Sequence, residues 1–357
     1  MDVRRHWDAR VKIEPGAFRE LCKWRDLDPQ AHRQPIWRTE VKLSGHLDTV
    51  HSDAGEYGWG GVLRTPQGVF PARGYLSVEH RLKSSTFREL WAFLQVLHSF
   101  KGEFRRGQEL VWYSDSLNAV TDMQRGGSRT PEIHSLCVDI FELVGDMGIH
   151  VRWVWIPRER NKLADALAGV FDKDDWKLHG AVFGMLDWLW GPFTIDRFAS
   201  SLNAQLNCFN SFHWCPGTNG VDAFAQHNWL RHVNWCNPPF WLIGRLVAFL
   251  REVGAAAVIV VPFWVGAPWW RIMCPDGIHW ANFVKDWRVL LPSVHLFSSG
   301  FCSGNERGVR VPGYKFFAVR VSFLRGDDAS GGPRCTLDGA GCSCGSGPQE
   351  VLQTPAV

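Results

Sequence analysis

The sequence predicts two consecutive α/β domains, and three observations support this fold class. With 357 residues, the chain is long for a single hydrophobic core. Short alternating or apolar segments bounded by turn residues predict strands between residues 45 and 171 and again between 192 and 324. Amphipathic segments with helical spacing separate these strands, as is typical of α/β domains. We therefore expect one domain over residues 45–172 and another over residues 192–325.

The first region predicts the order three strands, helix, strand, helix, strand, helix. Apolar side chains at helical spacing from Phe87 to Leu97 predict the first helix, and Asn161 is a suitable N-cap for the last one. The predicted strands are 47–53, 59–64, 69–76, 110–113 and 149–156. The other predicted helices are 131–147 and 161–171.

The second region has strand candidates near 193–198, 232–235, 256–261 and 316–323, and a strong helix candidate at 241–253. Residues 173–191 are interpreted as a linker with some helix, and residues 326–357 as a disordered tail rich in Gly, Ser and Cys. The polar, Arg-rich residues 1–44 are interpreted as an N-terminal extension.

The composition restricts the function classes only weakly. A formal net charge of +3 neither demonstrates nor opposes nucleic-acid binding. The ten cysteines form no C-x-x-C pair, which argues against a zinc site and favours reduced thiols in an intracellular protein. The first residues lack the apolar stretch of a signal peptide, and the longest apolar run, 255–266, is too short to cross a bilayer. We therefore expect a cytoplasmic or nuclear protein that is neither secreted nor bound in a membrane.

Four acidic residues occupy positions that suit a pair of catalytic metal ions. Two-metal hydrolysis of a phosphodiester requires several carboxylates on a rigid scaffold, around ions roughly 3.5–4 Å apart. Asp53 ends the first predicted strand, and Asp115 follows the fourth. Glu89 lies on the first predicted helix, and Asp165 lies in the first turns of the last one.

The segments around these acids resemble the four motifs of retroelement ribonuclease H. They are Ser52-Asp53-Ala54 before a Gly-Trp-Gly-Gly turn, Arg88-Glu89-Leu90, Tyr113-Ser114-Asp115-Ser116 and Asn161-x-x-Ala164-Asp165. The resemblance covers about residues 45–172. It is greatest to the ribonuclease H of DIRS-like (tyrosine-recombinase) retrotransposons, in which Trp155-Ile156-Pro157-Arg158 is also typical.

This resemblance implies a mixed five-stranded sheet with helices, and an enzyme that cuts the RNA strand of an RNA–DNA hybrid. It implies that two Mg²⁺ ions, for which Mn²⁺ can substitute, are ligated by Asp53, Glu89, Asp115 and Asp165. It also implies contacts with phosphate or the 2′-hydroxyl for Ser114, Ser116, Arg158, Arg160 and Lys162. Many relatives carry a His in the loop before the last helix. The loop 157–160 has none here, so slower turnover is expected.

The second region contains a motif that resembles the catalytic motif of amino-group DNA methyltransferases. Asn237-Pro238-Pro239-Phe240 follows a predicted strand, and in such a motif the Asn side chain and first Pro carbonyl orient the amine of a flipped base. The resemblance, strongest to DNA adenine methylases, implies a Rossmann-like domain that binds DNA. It implies S-adenosylmethionine as a cofactor, held near Asp196, Phe198 and Asp222. Methylase-like domains also follow ribonuclease H in DIRS-like elements.

Three alternatives remain open at this point. The first domain could be another nuclease or an integrase of the same superfamily, although Asn161-x-x-Ala164-Asp165 favours ribonuclease H. The second domain could be an active adenine methyltransferase. The whole chain could also be an inert relic that binds nucleic acid. No Tyr-x-Asp-Asp motif of a reverse transcriptase occurs, so the polymerase region is predicted to be absent from this chain.

Overall fold

The computed structural model describes Ile13 and residues 15–26, 47–169, 177–291, 296–298 and 315–324. Its first helix is α1 (Pro15–Asp26). The predicted tail at 326–357 lies outside the described residues. None of the helices in the described ranges has the length and apolar character needed to cross a bilayer.

The first sheet has five strands, β1 (Asp48–Ala54), β2 (Gly58–Thr65), β3 (Gly68–Tyr75), β4 (Glu109–Ser114) and β5 (His150–Trp155). Their order is β3-β2-β1-β4-β5. The first three strands are antiparallel, whereas β1, β4 and β5 are parallel to one another. The predicted mixed five-stranded sheet is therefore confirmed, with each strand within a few residues of its predicted place.

The helices of this part of the chain are α2 (Val78–Arg81), α3 (Ser85–Ser99), α4 (Leu117–Arg125), α5 (Pro131–Met147) and α6 (Lys162–Gly169). Helix α5 has the predicted bounds, and α3 begins at the N-cap Ser84, whose side chain accepts the N–H of Phe87. The sequence analysis missed α2 and α4. Helix α4 buries only Ala119, Val120 and Met123, so its apolar stripe is too short to give a clear helical period.

The second sheet combines β7 (Ile195–Asp196), β8 (Asn234–Cys236), β9 (Ala256–Pro262), β10 (Val284–Leu290) and β12 (Phe316–Ser322). Its order is β10-β12-β9-β8-β7. Strands β7, β8 and β9 are parallel, and β12 runs antiparallel to both β9 and β10. Helices α8 (Ile243–Val253) and α9 (Pro268–Met273) complete this part. Strand β10 and helix α9 were not predicted.

Part of the predicted linker 173–191 is regular structure. Strand β6 (Lys177–Leu178) pairs with β11 (Phe297–Ser298), and α7 (Gly180–Trp190) follows directly. Leu178 and three side chains of α7 pack in one apolar core with Trp235 and Val258 of the second sheet. These residues therefore belong to the second core rather than to a free connection, because α7 supplies apolar side chains that this core buries.

A loop between β7 and β8 forms a short backbone pairing with β3, at the edge of the first sheet. Trp214 bridges Ala72 of β3 in parallel orientation. The N–H of Arg73 donates to the carbonyl of Trp214 at 3.0 Å, and the N–H of Trp214 donates to the carbonyl of Pro71 at 3.2 Å. The Trp214 ring packs on the first core, 6.0 Å from the ring of Phe100. The second part of the chain thus covers the edge strand β3, which would otherwise present unpaired backbone groups.

Candidate active site

Two of the predicted acids meet because β1 and β4 are parallel neighbours. His51 of β1 is in register with Tyr113 of β4. Two residues further along each strand are Asp53 and Asp115, so these side chains lie on the same face at the same end of the sheet. Asp53 is 6% exposed, and Asp115 is half-buried.

Glu89 reaches the same point from helix α3. The neighbouring Arg88 fixes this helix to the β1–β2 turn, since its Nη1 donates to the carbonyl of Gly55 at 2.7 Å. One carboxylate oxygen each from Asp53, Glu89 and Asp115 lies within 4.8 Å of the other two. The Oε2 atom of Glu89 is buried and accepts no hydrogen bond within the described part of the chain. The structure therefore brings three of the four predicted ligands together.

Asp165, the fourth predicted ligand, lies outside this group of mutually close oxygens. It belongs to α6 and accepts a hydrogen bond of 2.5 Å from Nη2 of the exposed Arg158. It is nevertheless near enough that its negative charge contributes to the raised pKa of Asp53. The predicted role of Asp165 as a metal ligand stays a prediction.

The three clustered carboxylates oppose one another's ionisation. Burial, and then the charges of Asp115 and Asp165, raise the pKa of Asp53 to about 7. Burial, followed by the charges of Asp53 and Asp115, raises the pKa of Glu89 well above its usual range. A divalent cation would relieve both the burial of unpaired charge and the mutual repulsion. The oxygen donors, their spacing and the buried Oε2 of Glu89 therefore fit a hard cation such as Mg²⁺.

Asn161 is a site residue to which the sequence analysis, although it includes Asn161 in the fourth motif, gives no role other than that of a helix cap. Its backbone carbonyl accepts the N–H of Asp165, as expected of the residue that precedes α6. Its side chain, 1% exposed, points elsewhere: Nδ2 donates to the carbonyl of Ser52 at 2.9 Å and to Oδ1 of Asp115 at 3.3 Å. Asn161 thus ties the start of α6 to both acid-bearing strands. The spacing Asn161-x-x-Ala164-Asp165 is the signal that could have identified it.

The residues predicted to contact nucleic acid divide into two sets. Ser114 is completely buried, and its Oγ accepts the N–H of Ser116, so it offers no exposed atom to a phosphate. The Oγ of Ser116 accepts the N–H of Ala119 at the start of α4. By contrast, Arg158, Arg160 and Lys162 are all exposed, and the charge of Arg158 acts on Asp53. These three basic residues have the accessibility that a contact with backbone phosphates requires, and the predicted contact of the half-buried Ser116 stays a prediction.

The methylase-like motif lines a cavity in the second part of the chain, with a volume of about 380 Å³. The cavity lies beyond the carboxyl ends of β7 and β8. Of the predicted residues, Phe198, Asp222, Asn237, Pro238, Pro239 and Phe240 line it. Asp196 does not: it is 2% exposed, and its carboxylate accepts the N–H groups of Phe198 and Gln205. These two hydrogen bonds hold the adjacent turn, and the predicted contact of Asp196 with a cofactor stays a prediction.

Comparisons with known proteins concern the first part of the chain. Residues 46–170 match the family described as reverse transcriptase-like. No curated protein matches the chain significantly.

Solved structures similar to the chain include three ribonucleases H. The N-terminal RNase H domain of a Mycobacterium tuberculosis protein is 20% identical over 34% of this chain and 91% of that one, with a TM-score of 0.28. RNase H1 from the archaeon Halobacterium salinarum is 17% identical over 34% of this chain and 94% of that one, with a TM-score of 0.27. The structure of LC11-RNase H1, isolated from compost, was solved in complex with an RNA/DNA hybrid. It is 19% identical over 34% of this chain and 92% of that one, with a TM-score of 0.28. The match to the reverse transcriptase-like family and the mixed five-stranded sheet thus concern the same segment, residues 46–170.

Proposed function

We propose that residues 46–170 form a ribonuclease H-like domain, which hydrolyses the RNA strand of RNA–DNA hybrids with the help of two divalent cations. The observation that carries this proposal is the convergence of Asp53, Glu89 and Asp115, from two parallel strands and a helix, within 4.8 Å. When bound, such ions activate the attacking water and stabilise the leaving oxygen. The retrotransposon origin and the intracellular location inferred from the sequence form part of the same proposal.

The residues of this chain would supply binding, orientation and charge. The raised pKa values of Asp53 and Glu89 favour their protonated forms. Both would lose a proton when a metal binds, because a metal ligand must be ionised. Asn161 holds the Asp115 carboxylate in place through its Nδ2. Arg158 holds Asp165 at the rim of the cluster, where that carboxylate can complete the ligand set. Arg160 and Lys162, both exposed, can bind phosphates of the hybrid.

The test is cleavage of a hybrid whose RNA and DNA strands carry different labels, with the full chain in Mg²⁺, in Mn²⁺ and in EDTA. We expect cutting of the RNA strand alone, with loss of activity in EDTA and in Asp115→Asn by a factor of about 10³ or more. Hybrid binding in EDTA, measured by fluorescence anisotropy, shows that the variant still folds and binds. A wild-type protein that binds the hybrid but cuts neither strand would refute the proposal and favour an inert nucleic-acid-binding protein. Cutting of the DNA strand would instead indicate another nuclease of the superfamily.

A second candidate function, methylation of an amino group in DNA, is favoured by the cavity lined by Asn237-Pro238-Pro239-Phe240. In sheets with parallel strands, ligands bind in crevices beyond the carboxyl ends of the strands, where this cavity lies. The Asn237 side chain could accept a hydrogen bond from the amine of a flipped adenine, and the Phe240 ring could stack on the base. S-adenosylmethionine would supply the methyl group.

This second candidate predicts transfer of a labelled methyl group from S-adenosylmethionine to adenine-containing DNA by the full chain. Because one hydrogen-bonding group in an active site contributes roughly 10²-fold or more to the rate, Asn237→Ala should reduce the transfer by that factor. Trp188→Ala, which removes a side chain of α7 that is 85% exposed and does not line the cavity, is the control and should retain most of the activity. Absence of transfer to single- and double-stranded DNA at millimolar donor concentration would exclude the methyltransferase.

A further inference from the structure

The cavity in the second part of the chain contains a buried cation that neither candidate function uses. Arg197 directly follows β7, is 1% exposed and lines the cavity. Its guanidinium lies over the Trp229 ring, 4.3 Å from the ring centre. Nε donates to Oδ1 of Asn234 at 2.8 Å, and Nη1 donates to Oδ1 of Asn210 and of Asn228, both at 2.9 Å. Nη2 is buried and has no hydrogen-bond partner among the described residues.

These contacts orient the guanidinium without neutralising its charge. All three hydrogen-bond acceptors are neutral amide oxygens, and no carboxylate forms an ion pair with Arg197 in the described part of the chain. Burial lowers the pKa of Arg197 to about 10, so it stays protonated at neutral pH. A buried charge without a counter-ion is unfavourable, and proteins normally pair it. Arg197 therefore has no anionic partner among the described residues.

The remaining walls indicate what kind of molecule could carry that anion. Besides Arg197, the charged side chains lining the cavity are Arg73, Arg245 and Asp222, so positive charge predominates. The Asp222 carboxylate already accepts the N–H of Phe224. The backbone of Asp222 has a φ of 55°, a conformation that non-glycine residues rarely adopt and that clusters at functional sites. Phe198, Phe224 and Phe240 give the cavity aromatic walls. Its volume of about 380 Å³ lies in the range of small-molecule sites.

We propose that this cavity binds a small organic oxyanion with a planar ring, and that Arg197 binds the phosphate or carboxylate group through its unpartnered Nη2. Guanidinium groups suit both oxyanions, because their planar N–H groups match paired oxygens. The aromatic walls bind the ring. The inference depends neither on hybrid cleavage nor on methyl transfer, since it rests on the contacts and the charge of Arg197 alone.

The test compares pairs of compounds that differ in the oxyanion, using calorimetry on the full wild-type chain. AMP, GMP, CMP and UMP are each compared with their nucleosides, and S-adenosylhomocysteine is compared with its decarboxylated analogue, which lacks only the carboxylate. At least one anionic compound should bind about tenfold or more tightly than its neutral partner, as expected of a charge-assisted hydrogen bond. A nucleotide preference identifies phosphate as the bound group, and an S-adenosylhomocysteine preference identifies carboxylate. Equal affinities within every pair would overturn the inference.

Two variants test whether Arg197 is the residue that binds the oxyanion. Arg197→Gln should abolish the preference for the anionic compound, whereas Arg251→Gln, a change at an exposed arginine that lies over the Phe283 ring and outside the cavity, should retain it. Should Arg197→Gln fail to fold, the comparison of paired compounds on the wild type still decides the question. A folded Arg197→Gln protein that keeps the full preference would refute the role of Arg197. Loss of methyl transfer alone would leave the inference intact, because binding is measured without any reaction.

Discussion

Replacement of Asp53 by Asn is expected to abolish hybrid cleavage while making the metal-free protein more stable. The variant removes a ligand from the carboxylate cluster, so we expect cleavage to fall by about 10³-fold or more. It also removes a buried negative charge that Asp115 and Asp165 oppose. An amide has nearly the same shape and no charge, so the destabilising repulsion disappears. Activity and stability should therefore change in opposite directions at this position.

The pH dependence of the stability provides the distinguishing signature. The pKa of Asp53 is about 7 in the folded protein, well above its ordinary value of 3.8. The folded state therefore holds this proton more tightly than the unfolded state, and the stability of the wild type should rise as the pH falls from about 7 to about 4. Asp53→Asn should be more stable than the wild type at pH 8, by on the order of 2–4 kcal/mol, and equally stable at pH 4.

Urea unfolding of metal-free protein at pH 4, 6 and 8 measures this difference, and repetition in Mg²⁺ adds a second observation. Mg²⁺ should stabilise the wild type and have little effect on the variant, because ligands that bind the folded state stabilise it. Asp139→Asn, at an exposed position of α5, is the matched control and should change neither activity nor stability appreciably. A variant that is less stable than the wild type at pH 8, or that still cleaves the hybrid, would contradict the account of the cluster.

The first sheet and two of the clustered acids were predictable from the sequence for a clear physical reason. Each strand is a short apolar or alternating segment between turn residues, and Asp53 and Asp115 come at the ends of two of them. Ends of parallel strands meet at one edge of a sheet. The sequence does not show which face of the sheet Ser114, the last residue of β4, lies on, so its burial was not predicted. Nor does the sequence show that the side chain of Asn161 points toward Ser52 and Asp115, and so Asn161 was predicted as a cap.

The second part of the chain was less predictable because its strands are short and its polar contacts are remote in sequence. Strand β7 has two residues and β8 has three, too few to show an alternating pattern. The Arg197 site depends on Asn210, Asn228 and Asn234, which no local motif connects with it. The motif at Asn237 could be identified from the sequence, because its two prolines make its four residues distinctive. The cavity itself forms from residues that are distant in sequence, although the motif that forms one of its walls was predicted.

Substitution of Gly60 by Ala is the second change for which we expect a large effect. Gly60 pairs with Asp53 across β1 and β2, and helix α6 packs directly on it. A Cβ atom at Gly60 would lie 2.4 Å from the carbonyl oxygen of Ala164 and 2.6 Å from the backbone nitrogen of Ala168. Both are backbone atoms, so the whole helix must shift. We expect a destabilisation of about 3 kcal/mol or more, at the upper end of what overpacking produces.

The displacement of α6 should also reduce catalysis, because this helix carries Asp165 and begins just after Asn161, which holds Asp115. A shift of about 1 Å in such groups can reduce a rate by roughly 10²-fold. Gly145→Ala is the control: this exposed residue lies within α5 and has open space around it, so alanine should stabilise the helix by about 0.5–1 kcal/mol. Thermal unfolding and hybrid cleavage of both variants decide the matter. A Gly60→Ala variant with the stability and activity of the wild type would contradict the view that close packing on β2 positions α6 at the acid cluster.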